Sequence, residues 1–306
     1  MTSVRFTAVT AAVLLAVTVL RAQTPVTGIF FDEGWESGSL TRSFNSQNFG
    51  SVSSSSEFRL DGVNTGTGAW SLRHAFIAGT PVGGIDTATQ HFGDATSGPV
   101  WPTGSGQHFQ DLYVQYRFYY SPGFDFGTGH YKQFMIGTQD NRRHDESCCL
   151  PFAAHYITLL VERGAVLQAE GYNKQATTGQ RFDINPNTGG YSDSQPFVVQ
   201  TGRWYTLQVR RRLNDAGVDN GIFQMWMDGV LIADYRAVRY RVPPNGSFGS
   251  DFTYGTNFAH IADYSTTTVS RNQEIYYDDV RLSTTFIATG PVTTPPAPPT
   301  NVRVIR

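Results

Sequence analysis

The stretch LYVQYRFYY, residues 112–120, alternates between two sets of side chains. One set is apolar or aromatic and consists of Leu112, Val114, Tyr116 and Phe118. The other set is polar or amphipathic and consists of Tyr113, Gln115, Arg117 and Tyr119. Because successive side chains of a β-strand point to opposite faces, this pattern predicts a strand with one face in a core and one polar face.

The same two-residue period recurs along the chain. Residues 204–213 (WYTLQVRRRL) place Thr206, Gln208, Arg210 and Arg212 on one side. Residues 156–162 and 166–172 read as a hairpin around Arg163-Gly164, and residues 274–282 form a further alternating strand. No window of similar length has the 3.6-residue stripe of an amphipathic helix. The pattern therefore predicts an all-β, antiparallel sandwich.

Composition excludes several classes of protein. The 306 residues are 40% hydrophobic and 16% charged, which is too apolar for a disordered chain. Beyond the N-terminus no apolar run reaches the ~18 residues of a membrane span, so a multispanning membrane protein is excluded. The formal net charge of −2 gives no electrostatic footprint for nucleic acid.

Three segments are predicted from composition along the chain. Residues 1–22 resemble a secretory signal peptide, with an early arginine, a short apolar stretch and the small residue Ala22 at the cleavage position. The alternative is an N-terminal membrane anchor. Residues 23–289 are expected to form one sandwich domain, and residues 290–306 a flexible tail rich in Pro and Thr. We expect a secreted, periplasmic or extracellular protein with no membrane attachment after cleavage.

The sequence contains no zinc-site spacing, and its two cysteines, Cys148 and Cys149, are adjacent and cannot link distant strands. Acidic pairs occur near both ends of the sandwich region, at Asp32-Glu33 and Asp278-Asp279. If the first and last strands pair, these oxygens can approach each other and suit a structural Ca²⁺. The alternative is turn capping. We expect no cofactor to be required and no catalytic metal.

Lysine is rare in this chain, which has 21 arginines and only two lysines, Lys132 and Lys174. Arginine keeps its proton in proteins, whereas a lysine with a lowered pKa can act as a base. Lys132 follows a glycine-rich turn and begins a predicted strand. On another predicted strand, Gln168, Glu170 and Tyr172 occupy alternate positions and can converge on one bound ring. The alternative for both is an ordinary polar strand surface.

The polar faces of the predicted strands are rich in Arg, Gln and Tyr. Planar groups stack on sugar rings, and guanidinium groups pair with hydroxyls or carboxylates. The candidates for substrate binding on these faces are Gln115, Arg117, Tyr119, Gln208 and Arg210. The alternative interpretation is a solvated outer face of a sheet.

Three segments resemble polysaccharide lyase family 14 alginate lyases and the related glucuronan lyases. Residues 113–137 (YVQYRFYYSPGFDFGTGHYKQFMIG) are similar to a strand, a turn, a glycine-rich stretch and a lysine in that family. Residues 202–232 look like its pattern of a G-x-W-Y strand and a W-x-D-G turn. FFDEGWESG and IYYDDVRLS match the paired terminal strands of concanavalin A-like sandwiches. The resemblance implies a single-domain jelly-roll β-sandwich.

The resemblance also implies a reaction, which is β-elimination at a uronic acid. Lys132 matches the catalytic lysine of the family by position. Tyr172 matches one of its two alternating tyrosines, and Glu170 departs from the other. We assign the base and acid roles to Lys132 and Tyr172, without deciding which residue takes which role. Arg117 and Arg210 are expected to bind the sugar carboxylate. His130, Gln168 and Glu170 join the list of substrate-binding residues.

The function expected is that of a secreted, monomeric polysaccharide lyase acting on an acidic polymer of the alginate or glucuronan type. The alternative is a non-catalytic carbohydrate-binding module or lectin on the same fold, because a fold alone does not fix a function. A glycoside hydrolase is disfavoured, since the chain lacks the E-x-D-x-x-E strand motif that would supply two carboxylates.

Overall fold

The structure is a computed structural model. In the part of the chain that it describes, the regular secondary structure consists of antiparallel strands. The described residues are 28–40, 58–79, 86–91, 108–127, 130–139, 153–162, 164–173, 181–183, 197–241, 255–265 and 268–288. The predicted signal peptide, the C-terminal tail and both cysteines lie outside them. None of the described residues forms a helix long and apolar enough to span a membrane.

Eight strands form the larger sheet, which contains the stretch from which the fold was predicted. In spatial order they are β12 (Val230–Val238), β11 (Gly221–Met227), β10 (Trp204–Arg212), β5 (Asp111–Tyr120), β14 (Gln273–Ser283), β3 (Ser71–Phe76) and β2 (Phe58–Asp61), and β1 (Ile29–Glu33) also pairs with β14. Every one of these pairs is antiparallel.

Six strands form the second sheet, which contains Lys132. In spatial order they are β4 (Asp86–His91), β13 (Phe258–Ser265), β6 (His130–Gln139), β7 (Ala153–Glu162), β8 (Val166–Asn173) and β9 (Arg181–Asp183). The predicted hairpin around Arg163-Gly164 is confirmed, because β7 and β8 pair with each other throughout.

The core lies between the two sheets and is rich in aromatic rings. Tyr116 of β5 stacks on Phe134 of β6, with ring centroids 4.7 Å apart, and so joins the sheets at their centres. The predicted alternation of β5 is confirmed, since Leu112, Val114 and Phe118 belong to the same core. The chain is thus an antiparallel β-sandwich, as the sequence predicted.

The ends of the sandwich region meet in the larger sheet. β1 pairs with β14, so that Asp32 lies opposite Arg281, which confirms that the two acidic pairs approach each other. Asp278 is fully buried there, and its Oδ2 accepts the backbone N–H groups of Gly66 and Thr67 at 2.9 Å each. A Cβ at position 66 would lie 2.9 Å from that oxygen, so only glycine permits this approach.

Burial of Asp278 predicts a dependence of stability on pH. Desolvation, together with the neighbouring charge of Asp279, raises the pKa of Asp278 to about 6. From about pH 4 to about pH 6 the folded chain holds a proton here that the unfolded chain has released, so stability falls as the pH rises. We expect this group to lower the free energy of unfolding by about 3 kcal/mol between pH 4 and pH 7.

Asp278→Asn removes this titration and serves as the comparison. The free energy of unfolding is measured by urea denaturation at several pH values for both proteins. The value for the variant minus that for wild type should rise by about 3 kcal/mol between pH 4 and pH 7, because only wild type loses stability through this group. A stability difference that stays constant over this range would contradict the assignment.

Candidate functional site

Lys132 lies on the outward face of the six-stranded sheet. Its neighbours Tyr131 and Gln133 are buried on the core side, whereas Lys132 is partly exposed. Leu160 of β7 pairs with Lys132. Ile157 and Leu159 of the same strand belong to the core cluster, whereas Leu160 does not. The alternation of both strands therefore directs Lys132 away from the core.

A β-bulge at Gln133 fixes this orientation. Lys132 pairs with Leu160 while Phe134 pairs with Leu159, so Gln133 is an extra residue in β6. The Gln133 side chain is fully buried and faces the larger sheet. There the hydroxyl of Tyr116 donates to its Oε1 at 3.1 Å, and its Nε2 donates to the hydroxyl of Tyr120 at 2.8 Å.

The bulge lets two consecutive residues, Gln133 and Phe134, face the core, and it shifts the alternation of β6 by one position. The pairing of β6 with β13 also shifts here, between Ile261 and Tyr264. Bulges are common beside active sites because they redirect a side chain. Nothing in the alternation of Lys132, Gln133 and Phe134 indicates this bulge, so it could not be predicted from the sequence.

Gln168 shares the face of Lys132. Leu160 pairs with Lys132 on one side and with Gln168 on the other, so the three residues form one row across β6, β7 and β8. Two strand spacings separate Lys132 from Gln168, about 10 Å. Gln168 is buried, while Leu167 and Ala169 on either side of it belong to the core.

Glu170 and Tyr172 continue along β8 at the same alternate positions as Gln168. Their backbones pair with Thr158 and Tyr156 of β7. From strand geometry, the backbones of Lys132 and Tyr172 are about 16 Å apart, a distance that two long side chains with a sugar ring between them can bridge. The side chains of Glu170, Tyr172 and His130 lie outside the described part of the structure, so their roles stay predictions.

The structure brings a further tyrosine position next to Lys132. Tyr264 of β13 is its direct backbone partner, and directly opposed residues of antiparallel strands share a face. Sequence reasoning missed this residue because β13 lies more than a hundred residues from β6, and no local pattern reveals which distant strands pair. Tyr264 is placed here by register alone.

Several outward-facing neighbours of Lys132 are buried. They are Met135, Leu160 and Gln168, each at most 6% exposed. Lys132 is therefore a partly exposed amine among buried neighbours, and this face differs from an ordinary solvated sheet surface. Sheltered surroundings of this kind strengthen electrostatic interactions with a bound ligand.

The five substrate-binding candidates of β5 and β10 lie on the opposite side of the sandwich. Gln115, Arg117, Tyr119, Gln208 and Arg210 alternate with core residues of the eight-stranded sheet and face outward from it. The expectation that they bind the same sugar as Lys132 is therefore corrected. Sheet alternation identified a polar face correctly, but it does not tell which of the two sheets carries that face.

Four of these side chains, all except Tyr119, have hydrogen-bond partners within the protein. Arg210 donates to both carboxylate oxygens of Asp111, at 2.9 and 2.6 Å, and this bonding raises the pKa of Arg210. Arg117 donates to the carbonyl of Gly66. The amide groups of Gln115 and Gln208 bond to the backbone of Ile287, which crosses over them. Their positions are explained by packing of the sheet surface.

The terminal carboxylates likewise bind protein groups. Asp32 accepts from Arg281 at 3.0 Å, Glu33 accepts the N–H of Trp35, and Asp279 accepts from the Thr67 hydroxyl. Among the described residues, no group of three or more His, Cys, Asp or Glu side chains is arranged to hold a metal ion. A structural Ca²⁺ stays a prediction from the sequence.

Solved structures that superpose on the chain include polysaccharide lyases. Endo-β-1,4-glucuronan lyase from the fungus Trichoderma reesei superposes with a TM-score of 0.52 at 13% identity, over 77% of this chain and 90% of that enzyme. The chain has a polysaccharide-lyase-like jelly-roll fold. The marine PL-14 alginate lyase from Aplysia kurodai gives a TM-score of 0.50 at 11% identity, over 74% of this chain and 86% of that one.

No sequence-family model matches the chain, and no curated protein sequence matches it significantly. The likeness to the two lyases is therefore one of structure, and at these identities it establishes the lyase-like jelly roll alone. What this jelly roll does depends on the side chains that it displays.

Proposed function

We propose that this protein is a secreted polysaccharide lyase that cleaves an acidic, uronate-containing polymer of the alginate or glucuronan type. The observation that carries the proposal is the position of Lys132. In a lyase-like jelly roll, this rare lysine is a partly exposed amine on the outward face of one sheet, among buried neighbours. A bulge bonded into the core orients it.

The reaction is β-elimination. A base removes the proton at C5 of the uronate, the electron pair left behind forms the C4–C5 double bond, and the C4–O bond breaks as an acid protonates the leaving oxygen. Lys132 and Tyr172 supply the base and the acid in this proposal. Tyr264, the direct backbone neighbour of Lys132, is a second candidate phenol for one of these roles.

The sugar carboxylate needs a partner on the same face, because neutralising it makes the C5 proton more acidic. Arg117 and Arg210 lie on the other sheet and cannot provide this. Gln168 takes over the role in our proposal, since it shares a row with Lys132 and its amide N–H can donate to a carboxylate oxygen. His130, two positions before Lys132 on β6, is the second candidate.

A non-catalytic carbohydrate-binding protein is the second candidate function. The observation in its favour is a row of aromatic side chains on the eight-stranded sheet, in which Trp204, Tyr119 and Tyr276 lie side by side. A glycoside hydrolase has less support, because the chain lacks the paired-carboxylate strand motif.

A panel of polymers distinguishes the three functions. The protein is incubated separately with glucuronan, alginate and neutral glucans, and three readouts are recorded: ultraviolet absorbance, reducing ends and retention on insoluble polymer. A lyase produces absorbance and reducing ends together on a uronate polymer, whereas a hydrolase produces reducing ends alone. Retention with neither signal on any polymer would refute the proposed reaction.

A further inference from the structure

Five outward-facing residues form a continuous row across five neighbouring strands of the eight-stranded sheet. Direct backbone pairing connects them in the order Trp204, Tyr119, Tyr276, Arg73 and Arg59. The row, called here the aromatic row, crosses four strand spacings and is about 19 Å long. It can therefore contact several consecutive sugar rings.

The rings of the aromatic row are held in place by their neighbours. The Tyr119 ring centroid lies 5.5 Å from that of Trp204 and 5.7 Å from that of Tyr276. The indole N–H of Trp204 donates to Asn64 Oδ1 at 3.3 Å, and the Tyr276 hydroxyl donates to Glu274 at 2.7 Å. Trp204 and Tyr119 remain partly exposed. Fixed, partly exposed rings bind a ligand at a low cost in conformational entropy.

Another aromatic cluster of the same face is covered by the described part of the chain, whereas Trp204 and Tyr119 of the row keep exposed surface. Phe286 packs edge-on against Tyr113 and Trp226, with ring centroids 6.1 and 5.2 Å away. The next residue, Ile287, bonds to the glutamines beside that cluster. Among the described residues, the loop between β2 and β3 reaches the Trp204 end of the row through Asn64, whereas Arg59 at the other end is exposed.

Three guanidinium groups in or beside the row have carboxylate neighbours. Arg73 pairs with Glu274, Arg203 pairs with Asp228 at 2.6 Å, and Arg117 lies over the Trp204 ring and 3.6 Å from Asp279. Each of these guanidinium groups already has a carboxylate neighbour. A uronate chain would bring further negative charge towards Glu274 and Asp279, whereas a neutral sugar can stack on the rings and share hydrogen bonds with Asn64 and Glu274.

We propose that the aromatic row is a binding surface for a neutral polysaccharide chain, separate from the face that carries Lys132. The sandwich core lies between the two faces, so each can hold a ligand while the other is occupied. The arrangement would anchor the protein on a neutral glycan while the opposite face remains accessible. This proposal does not depend on the lyase reaction.

Isothermal titration calorimetry of the full chain with cellohexaose, a neutral β-1,4-glucan oligomer, tests the proposal. Trp204→Ala and Tyr119→Ala should each weaken binding by about ten-fold or more. Trp226→Ala is the matched control, because that tryptophan lies on the same face under Phe286, and it should bind like wild type. Lys132→Ala should also bind like wild type, which separates this surface from the catalytic face.

Melting temperatures confirm that each variant is folded. If Trp204→Ala does not fold, Arg59→Ala at the exposed end of the row provides the test, with an expected loss of about three-fold. Failure of wild type to bind cellohexaose, or equal binding by folded Trp204→Ala and wild type, would overturn the proposal. So would tighter binding of a glucuronate oligomer than of cellohexaose at the row.

Discussion

Lys132→Ala should lower the rate of unsaturated-product formation from the cleaved uronate polymer by roughly 10²- to 10⁴-fold, the usual contribution of a positioned acid or base. The variant removes the amine and leaves the bulge intact, because Gln133 and not Lys132 bonds to Tyr116 and Tyr120. The measurement is the initial rate of ultraviolet absorbance increase at saturating polymer, with the melting temperature as a check of folding.

Two further variants sharpen this test. Lys132→Arg keeps the positive charge but cannot lose its proton near neutral pH, so it stays inactive if Lys132 is the base. Arg210→Gln is the control on the opposite sheet and should keep the wild-type rate, because Arg210 is bound to Asp111 there. An inactive Arg210→Gln together with an active Lys132→Ala would contradict the proposal, because it would place the reaction on the eight-stranded sheet.

Gln133→Ala should destabilise the fold by about 2–4 kcal/mol, the second-largest effect that we expect. The substitution empties space in the core and removes the partner of two tyrosine hydroxyls, both from fully buried residues of β5. The free energy of unfolding from urea denaturation measures the loss. We also expect reduced lyase activity in the folded fraction, because the bulge orients Lys132.

A double-mutant cycle separates the hydrogen bonds from the cavity. In a chain that already carries Tyr116→Phe and Tyr120→Phe, replacing Gln133 should cost about 1–2 kcal/mol less than in wild type, if the hydroxyl bonds couple these residues. Equal costs in the two backgrounds would show that the glutamine contributes only its volume.

The strands and their faces could be predicted from the sequence because they follow from local patterns. The alternation in 112–120 assigned Val114, Tyr116 and Phe118 to the core, where the structure has them. The turn at Asp228-Gly229 could also be predicted, because Asp-Gly is a preferred pair in tight turns that need positive φ at both residues. Both residues have positive φ in the structure, at 50° and 81°. The pairing of the first and last strands was expected from the resemblance of FFDEGWESG and IYYDDVRLS to paired terminal strands, and it is confirmed.

The arrangement of the candidate site could not be predicted, because it depends on pairings between distant strands. β5 pairs with β10 and β14, whereas β6 pairs with β7 and β13, so Arg117 and Lys132 lie on different sheets although they are close in sequence. The bulge at Gln133 is stabilised by tyrosines of the other sheet, and no local sequence pattern indicates that contact.

The chemical structure of the products tests the central claim most directly. Mass spectrometry of glucuronan or alginate fragments should find a new unsaturated uronate at the non-reducing end of each cut, one water lighter than the corresponding hydrolysis product. Lys132→Ala should release roughly a hundred-fold less of these fragments, or fewer still, in the same time. Saturated fragments from the wild-type protein, or unsaturated fragments released equally by Lys132→Ala, would contradict elimination at this lysine.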